Sequence, residues 1–500
     1  MLWRMMKSMR WVWPVVAVAA VVVVVVPLAG ASDPGPADSL KWGACPSGAD
    51  PALRCSTLAV PLDYRHPEGR KIDLAVSRLA SADQGKRRGV LLVDPGGPGL
   101  PGSLATPTMG LPQPVRDRYD VIGFDPRGIG RSAPLTCGLT PAQSAVAATP
   151  PYPRDAADVA RTAETAAVIA RQCTSSDTAD VLPFVTTANT ARDLDSIRAA
   201  LGEEKMSYYG ESYGTYLGAV YTTLFPEHSD RFVLDSSLPP EGYDLDALRS
   251  QALGFQTRFP DFALFAAGEA TRYGLGSTPA AVTAKYYELA GRLDHAPAQG
   301  FDGTSFRNLT SGLLRRDDEF PQLASIWQAL DSGQPLPAAA APDGSDGSDG
   351  AGGAGFSDRG SFAVGYLSVV CNDSSWPTSV GTYQHDVEVD RLRYPMYGPI
   401  TANIRPCAFW PAPAEPKVSL GGPGPADVLI VQNLRDPATP LPGALRTRSA
   451  LGERARMVTI DQGGHVAYGA GNRCGNTTVT DYLVTGRLAP QDTFCPAETH

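Results

Sequence analysis

The stretch from residue 206 to residue 218, MSYYGESYGTYLG, constrains the fold of this chain more than any other. Its apolar start is typical of a buried strand, and the segment after the pentapeptide GESYG is typical of a helix. A serine on a tight turn between a strand and a helix presents its hydroxyl above the sheet edge, and flanking glycines allow close backbone approach. The motif occurs once in this context, so the sequence predicts that Ser212 is a nucleophile rather than part of a glycine-rich structural turn.

The first 31 residues have the order of an export signal. A basic start up to Arg10 precedes a long uncharged apolar run, and Ala29-Gly30-Ala31 then provides a small-residue cleavage site. The apolar run is long enough that an uncleaved membrane anchor stays open as an alternative. We expect cleavage, a secreted extracellular protein, and no stable membrane association once the signal peptide has been removed.

The chain is acidic, with a formal net charge of −9. An acidic surface repels the phosphate backbone of DNA or RNA, so we expect no nucleic-acid partner. We expect the protein to act as a monomer.

The eight cysteines are an even number in an exported chain, which predicts a disulfide framework. Nearest-neighbour pairing is the simplest connectivity and would join Cys45 to Cys55, Cys137 to Cys173, Cys371 to Cys407, and Cys474 to Cys495. The sequence has no Cys-x-x-Cys motif and no His/Cys cluster, so we expect neither a metal nor another cofactor.

Short apolar segments that alternate with helical ones predict the fold class. Two segments with one polar face, 56–62 and 71–79, are typical of antiparallel strands, whereas continuous apolar runs indicate buried parallel strands. Such runs occur at 89–93, 119–124, 206–209 and 231–235, with helical segments at 155–171 and 190–201. This order predicts an α/β fold with a mostly parallel, doubly wound sheet.

Strand signals nearly vanish between residues 239 and 424, where helical patterns dominate, and this predicts an inserted helical lid. Within it, segment 335–355 consists of Ala, Pro, Asp, Gly and Ser and lacks the apolar residues of a core, so we expect a disordered or mobile loop. Strand signals return at 427–432 and 456–460. The predicted organisation is a signal peptide (1–31), a first part of the core (32–238), the lid (239–424) and a C-terminal part of the core (425–500).

A serine hydroxyl becomes a good nucleophile when an imidazole, oriented by a carboxylate, removes its proton. His465 ends the segment DQGGH directly after the last predicted strand, where a loop at the carboxyl edge of the sheet can reach Ser212. Asp436 follows the preceding strand, and its position suits the orienting acid better than Asp427 or Asp461. The chain order Ser212, Asp436, His465 is that of α/β-hydrolases.

Acyl transfer also needs N–H groups that stabilise the developing oxyanion. The residue after the nucleophile, Tyr213, supplies one backbone N–H, and the loop DPGGPG at 94–99 can supply a second. The two prolines of this loop have no N–H. We therefore predict Gly97 as the second donor, with Gly96 and Gly99 as alternatives.

With these residues in view, the chain resembles the secreted tripeptidyl aminopeptidases of actinobacteria, in the prolyl-aminopeptidase-like branch of the α/β-hydrolases. The matching segments extend over nearly the whole mature chain: DPGGPG (94–99), FDPRGIGRS (124–132), GESYGTYLG (210–218), RFVLDSS (231–237), CNDSSWP (371–377), LRDPATP (434–440) and GGH (463–465). One departure is Asp94, where the family usually has Asn, and a second is the Ala/Gly/Asp-rich loop in the lid.

The resemblance implies a serine exopeptidase that needs no cofactor and removes short peptides, with tripeptides expected, from substrates with a free N-terminus. Such an enzyme must hold the substrate ammonium at a fixed distance from Ser212, which a buried carboxylate does well. We predict Asp373 for this role, with Glu211 as second choice. Two other functions stay open: a secreted esterase or lipase on the same fold, and a non-catalytic binding protein.

Overall fold

The computed structural model describes residues 40–104, 109–337 and 359–498. Its strands are β1 (Gly43–Ala44), β2 (Arg54–Pro61), β3 (Lys71–Leu79), β4 (Gly89–Asp94), β5 (Tyr119–Phe124), β6 (Met206–Glu211), β7 (Ser229–Asp235), β8 (Val428–Arg435), β9 (Ala455–Gly463) and β10 (Thr493–Cys495). They form a ten-stranded sheet in the spatial order β1-β2-β3-β5-β4-β6-β7-β8-β9-β10.

The helices cover both faces of this sheet and fill the segment between β7 and β8. They are α1 (Gln113–Arg116), α2 (Pro141–Ala148), α3 (Ala156–Thr174), α4 (Thr187–Ala200), α5 (Tyr213–Leu224), α6 (Leu245–Gly268), α7 (Ala270–Tyr273), α8 (Pro279–His295), α9 (Gly303–Leu313), α10 (Phe320–Ser332), α11 (Arg359–Asp373), α12 (Val380–Arg393), α13 (Gly398–Ala402), α14 (Leu441–Leu451) and α15 (Arg473–Thr485).

The strand directions confirm the predicted α/β fold. Pairing is antiparallel from β1 to β3 and between β3 and β5, and parallel from β5 through β4, β6, β7, β8 and β9 to β10. Parallel strands are buried on both faces, which explains their continuous apolar runs. The short edge strands β1 and β10 carry too few residues for a periodic signal, and the sequence patterns did not reveal them.

Alternating side chains of each central strand belong to two hydrophobic clusters on opposite faces. In β4, Val90 and Leu92 join the cluster that contains Leu217 of α5. Leu91 and Val93 join the opposite cluster, which contains Leu483 of α15. The sheet is therefore held between two helical layers, and its carboxyl edge is free to carry a site.

Helix starts follow from capping residues. The sequence pattern placed the beginning of α4 near residue 190, but the helix begins at Thr187, because the Thr186 side chain accepts a hydrogen bond from the N–H of Asn189. Helix α5 begins at Tyr213, directly after Ser212, instead of near residue 215 as expected.

The segment between β7 and β8 has no strand among its described residues. Helices α6, α8, α9 and α10 enclose a separate aromatic cluster around Phe259 and Trp327. Helix α11 instead packs its buried face into the main cluster beside the sheet. The predicted signal peptide at 1–31 and most of the predicted loop at 335–355 lie outside the described residues.

Four disulfide bonds join the cysteines in the nearest-neighbour order: Cys45–Cys55, Cys137–Cys173, Cys371–Cys407 and Cys474–Cys495. The third bond connects the end of α11 to the 3₁₀ helix Pro406–Phe409. In the part of the chain that the structure describes, no helix is both long and apolar enough to cross a membrane.

Candidate active site

Ser212 occupies the turn between β6 and α5. Its backbone has φ 54° and ψ −120°, a combination that side chains rarely adopt, and its N–H donates to the carbonyl oxygen of Asp235 at 3.0 Å. The flanking glycines are required because a Cβ on Gly214 would lie 2.9 Å from the carbonyl oxygen of Asp94. The turn presents a partly exposed Ser212 at the carboxyl edge of the sheet.

His465 and Asp436 form a hydrogen-bonded pair at the same edge. Nδ1 of His465 lies 3.0 Å from each carboxylate oxygen of Asp436, and both side chains are almost completely buried. Burial alone would raise the pKa of Asp436, but the charge and hydrogen bond of His465, with a further N–H from Thr439, hold this pKa below its usual value. The carboxylate is therefore ionised and orients the imidazole.

Thr439 and Ser236 are site residues that the sequence patterns did not single out. Thr439 donates its N–H to one oxygen of Asp436 and its hydroxyl to the other, both at 2.9 Å. An aspartate side chain often accepts a hydrogen bond from a backbone N–H two or three residues further on. The spacing of Asp436 and Thr439 fits this turn, so the sequence contained a signal for their contact. The Ser236 hydroxyl also stabilises the ionised Asp436.

The end of β7 connects the nucleophile turn to the histidine loop. Asp235 accepts backbone N–H groups from Ala467 and Tyr468, each at 2.8 Å, while its carbonyl oxygen holds the N–H of Ser212. The three predicted side chains thus lie at the same edge of the sheet. Among the described residues no hydrogen bond joins the Ser212 hydroxyl to His465; such bonds are often long without substrate and tighten when it binds.

Backbone strain is concentrated at this edge. Ser212, Ser236 and Val466 all have positive φ, at 54°, 62° and 70°. For a β-branched residue such as valine this conformation is especially unfavourable. Strain of this kind persists where surrounding contacts impose it, and it is common at functional sites.

The glycine loop after β4 passes directly beside the nucleophile turn. A Cβ on Gly96 would lie 2.4 Å from the carbonyl oxygen of Glu211 and 3.0 Å from the Tyr213 nitrogen. The N–H of Gly96 already donates to Asp94 at 2.6 Å. Within the described residues, the N–H groups of Gly97, Gly99 and Tyr213 have no acceptor, so these are available for an oxyanion.

Three buried carboxyl groups, Asp94, Glu211 and Asp235, lie beneath the turn. The hydroxyl of Tyr209 is 2.9 Å from Glu211 and 3.1 Å from Asp235. A hydroxyl has only one proton to donate, so the second hydrogen bond requires that one of the two carboxyl groups is protonated and donates to the tyrosine oxygen. Burial and the charge of Asp235 raise the pKa of Glu211 to about 8, and burial raises that of Asp94 to about 7. Glu211 is 4% exposed, and its contact with Tyr209 is that of a residue that supports the turn from below.

Asp373, at the end of α11, is connected to the nucleophile turn through the side chain of Thr187. It accepts the N–H of Thr187 at 2.8 Å and the Thr187 hydroxyl at 2.5 Å, while Tyr213 lies 2.5 Å from the same hydroxyl. The hydroxyl of Thr187 has one proton, so Tyr213 is the donor in the second bond. Burial raises the pKa of Asp373 to about 6, against the opposing effect of Thr187 and Lys417. Asp373 also lines a small cleft with Tyr216.

No group of three or more His, Cys, Asp or Glu side chains with the arrangement of a metal site occurs among the described residues.

Comparisons with known proteins identify the family of this chain. Residues 394–495, which include Asp436 and His465, match the family model described as TAP-like protein. The chain is 35% identical to the tripeptidyl aminopeptidase of Streptomyces lividans over 456 residues, 89% of this chain and 83% of the relative. It is 29% identical to the serine protease Hip1 of Mycobacterium tuberculosis (97% and 98% covered) and 31% identical to a carboxylesterase B of that organism (94% of both). The chain therefore belongs to the tripeptidyl aminopeptidase family of serine peptidases with the α/β-hydrolase fold.

Proposed function

We propose that this protein is a secreted serine exopeptidase that releases tripeptides from the free N-terminus of peptide substrates, with Ser212, His465 and Asp436 as its catalytic triad. The observation that carries the proposal is the pairing of His465 with an ionised Asp436, at the sheet edge where Asp235 also holds Ser212. Secretion is supported by the four disulfide bonds, which persist in oxidising compartments.

The proposed reaction proceeds through an acyl-enzyme. His465 removes the proton of Ser212, and the serine oxygen attacks the scissile carbonyl carbon. The N–H groups of Tyr213 and Gly97 stabilise the oxyanion, and His465 then protonates the leaving amine. Water, activated by the same imidazole, releases the peptide acid.

Recognition of the substrate ammonium is assigned to Asp373. Its carboxylate is linked through Thr187 to Tyr213, the residue next to the nucleophile, and it lines a cleft. The release of tripeptides is proposed from the name of the Streptomyces relative, tripeptidyl aminopeptidase. We further propose that the helical segment 239–424 acts as the lid that limits how much peptide enters.

An esterase is the second candidate, because a relative of 31% identity is named carboxylesterase B. The two are separated by assaying a free-amino tripeptide p-nitroanilide, its N-acetyl derivative and a short-chain p-nitrophenyl ester. We expect hydrolysis of the free anilide, at least about a hundredfold less of the acetylated one, and none in Ser212→Ala. Ester turnover without any anilide turnover would contradict the peptidase proposal.

The role of Asp373 is tested by Asp373→Asn on the same three substrates. We expect KM for the free-amino anilide to rise by about tenfold or more with ester hydrolysis little changed, because the charge that binds the ammonium is lost while the asparagine oxygen can still accept the N–H of Thr187. Glu415→Gln is the matched control, since Glu415 lines the same cleft but its carboxylate already pairs with Arg192. An equal loss on ester and anilide would assign Asp373 a structural role.

A further inference from the structure

Arg315 lies in the connection between α9 and α10, beside the imidazole loop. Its carbonyl oxygen accepts the backbone N–H of His465 at 2.8 Å, and a Cβ on Gly464 would lie 2.7 Å from the same oxygen. The preceding carbonyl, that of Leu314, accepts a hydrogen bond of 2.9 Å from the buried Arg258 side chain. The backbone from which the Arg315 side chain extends is therefore held in place next to His465.

The guanidinium of Arg315 has no ion-pair partner among the described residues, although it lies in the charged run RRDDE. Three other residues of this run are already in ion pairs, Arg316 with Asp318 and Asp317 with Arg258. An arginine side chain presents five N–H donors and is always charged. A partly exposed arginine left without a carboxylate in an acidic protein is thus a ready site for an anion.

The positive charge of Arg315 also acts on Tyr243, a buried residue close to the nucleophile turn. Tyr243 is buried and its hydroxyl interacts with that of Ser212; burial raises the pKa of Tyr243 to about 12, while Ser212 and the charge of Arg315 act in the opposite direction. The charge of Arg315 therefore acts on Tyr243, whose pKa also responds to Ser212. An anion bound by Arg315 would lie near the scissile bond.

The position of Arg315 relative to Ser212 indicates which part of the substrate it contacts. Asp373 is connected to Ser212 through Thr187 and Tyr213, on the side of α4 and α5. Arg315 is connected to His465, which protonates the leaving amine and so must face the leaving fragment. We propose that Arg315 binds a carboxylate of the leaving fragment close to the scissile bond, and so favours peptides that end just beyond this bond or carry an acidic residue there.

This inference rests on the proposed peptidase function and is tested with matched peptides. The first pair is Ala-Ala-Ala-Ala as free acid and as C-terminal amide; the second is Ala-Ala-Ala-Glu-amide and Ala-Ala-Ala-Gln-amide. The first pair reports a terminal carboxylate and the second a side-chain carboxylate. For the wild type we expect kcat/KM to be about tenfold higher for the charged member of at least one pair, as for a hydrogen-bonded ion pair.

Arg315→Gln should abolish this preference while cleaving Ala-Ala-Ala p-nitroanilide, which has no carboxylate in its leaving group, within about threefold of the wild-type rate. Arg316→Gln removes the same charge one residue away and should keep the preference. Arg315→Glu should reverse it, favouring Ala-Ala-Ala-Lys-amide over the glutamate peptide.

Three results would overturn the proposal. The wild type could show no preference for the charged peptides, or this preference could survive in Arg315→Gln. The third result is that Arg315→Gln loses anilide cleavage as strongly as it loses cleavage of the charged peptides. In each of these the anilide or the neutral peptides are still cleaved by the wild type, so the peptidase function stands. Ester hydrolysis with no cleavage of any unblocked peptide or anilide would instead remove the proposed function, and this inference with it.

Discussion

The hydroxyl of Ser236 accepts a 2.8 Å hydrogen bond from the backbone N–H of Val466, and both residues have left-handed backbone, with φ of 62° and 70°. Ser236 directly follows β7 and Val466 directly follows His465. The bond therefore attaches the strained imidazole loop to a parallel strand that is buried on both faces. Neither conformation is favourable alone, and the contact between them makes the pair persist.

Replacing Ser236 with alanine should lower kcat more than it raises KM. The variant loses the acceptor for the Val466 N–H and a contact to Asp436, so the imidazole is positioned less well while the substrate contacts are unchanged. We expect kcat on the tripeptide anilide to fall by about 10- to 100-fold, with about 1–2 kcal/mol less free energy of unfolding. Ser325→Ala is the control, because that hydroxyl donates within its own helix at α10. An unchanged kcat would refute the positioning role.

Asp436→Asn should nearly abolish activity without unfolding the protein. The amide keeps the shape of the carboxylate but no longer stabilises the imidazolium or the correct tautomer, and comparable changes lower kcat by about 10⁴-fold. Asp461→Asn is the matched control, since Asp461 lies in β9, next to the strand that precedes Asp436, but pairs with Arg435 at 2.7 Å. Steady-state kinetics with the anilide measure both. Comparable losses of kcat in the two variants would show that Asp436 is not the acid that orients the imidazole.

Asp94→Asn should stabilise the protein at alkaline pH. Burial raises the pKa of Asp94 from 3.8 to about 7. Below about pH 4 the carboxyl is protonated in both states; between about 4 and 7 only the unfolded chain releases its proton, so the free energy of unfolding falls as pH rises, and above about 7 the loss is constant. Asparagine avoids this loss and still accepts the N–H of Gly96.

Denaturant melts at pH 4 and pH 8 measure the effect. We expect the variant to match the wild type at pH 4 and to exceed it by about 2 kcal/mol at pH 8. Asp177→Asn, at an exposed position, should show no pH-dependent difference. A variant that is less stable than the wild type at pH 8 would show that the ionised carboxylate is favourable in the folded protein.

The disulfide bond Cys371–Cys407 should matter for activity as well as stability. It holds α11, which carries Asp373, and a Cβ on Gly365 of the same helix would lie 3.2 Å from the Cα of Gly99 in the glycine loop. Replacing both cysteines with serine should lower the free energy of unfolding by about 2–4 kcal/mol and lower kcat/KM on the anilide.

The bond Cys45–Cys55 provides the comparison. It joins the end of the edge strand β1 to β2 and closes a loop of 10 residues instead of 36, so its removal should destabilise the protein less and leave kcat/KM unchanged. Equal losses of kcat/KM in the two double variants would show that the Cys371–Cys407 bond has no specific role in positioning α11 for activity.

Much of the fold could be predicted from the sequence because its signals are local. Continuous apolar runs identify β4 to β9 as buried parallel strands, and the GESYG pentapeptide identifies the turn at Ser212. The neighbours that complete the site have no such signal. Asp235 and Ser236 look like the ordinary end of a strand, and Arg315 looks like one charge in a solvated run. Their importance arises from contacts with residues more than a hundred positions away.

The amino-acid sequence by itself determined the order of the central strands and the helical segment that interrupts them, the family, and which serine, histidine and aspartate to consider, since these depend on periodicity and on motifs of a few residues. Only the tertiary structure decided that β7 lies between the nucleophile turn and the strand before Asp436, that Glu211 is buried under the turn, and that Arg315 meets the imidazole loop. These are consequences of packing the sheet and the helical segment together, and the free energy of each such contact depends on its three-dimensional neighbours rather than on adjacent residues.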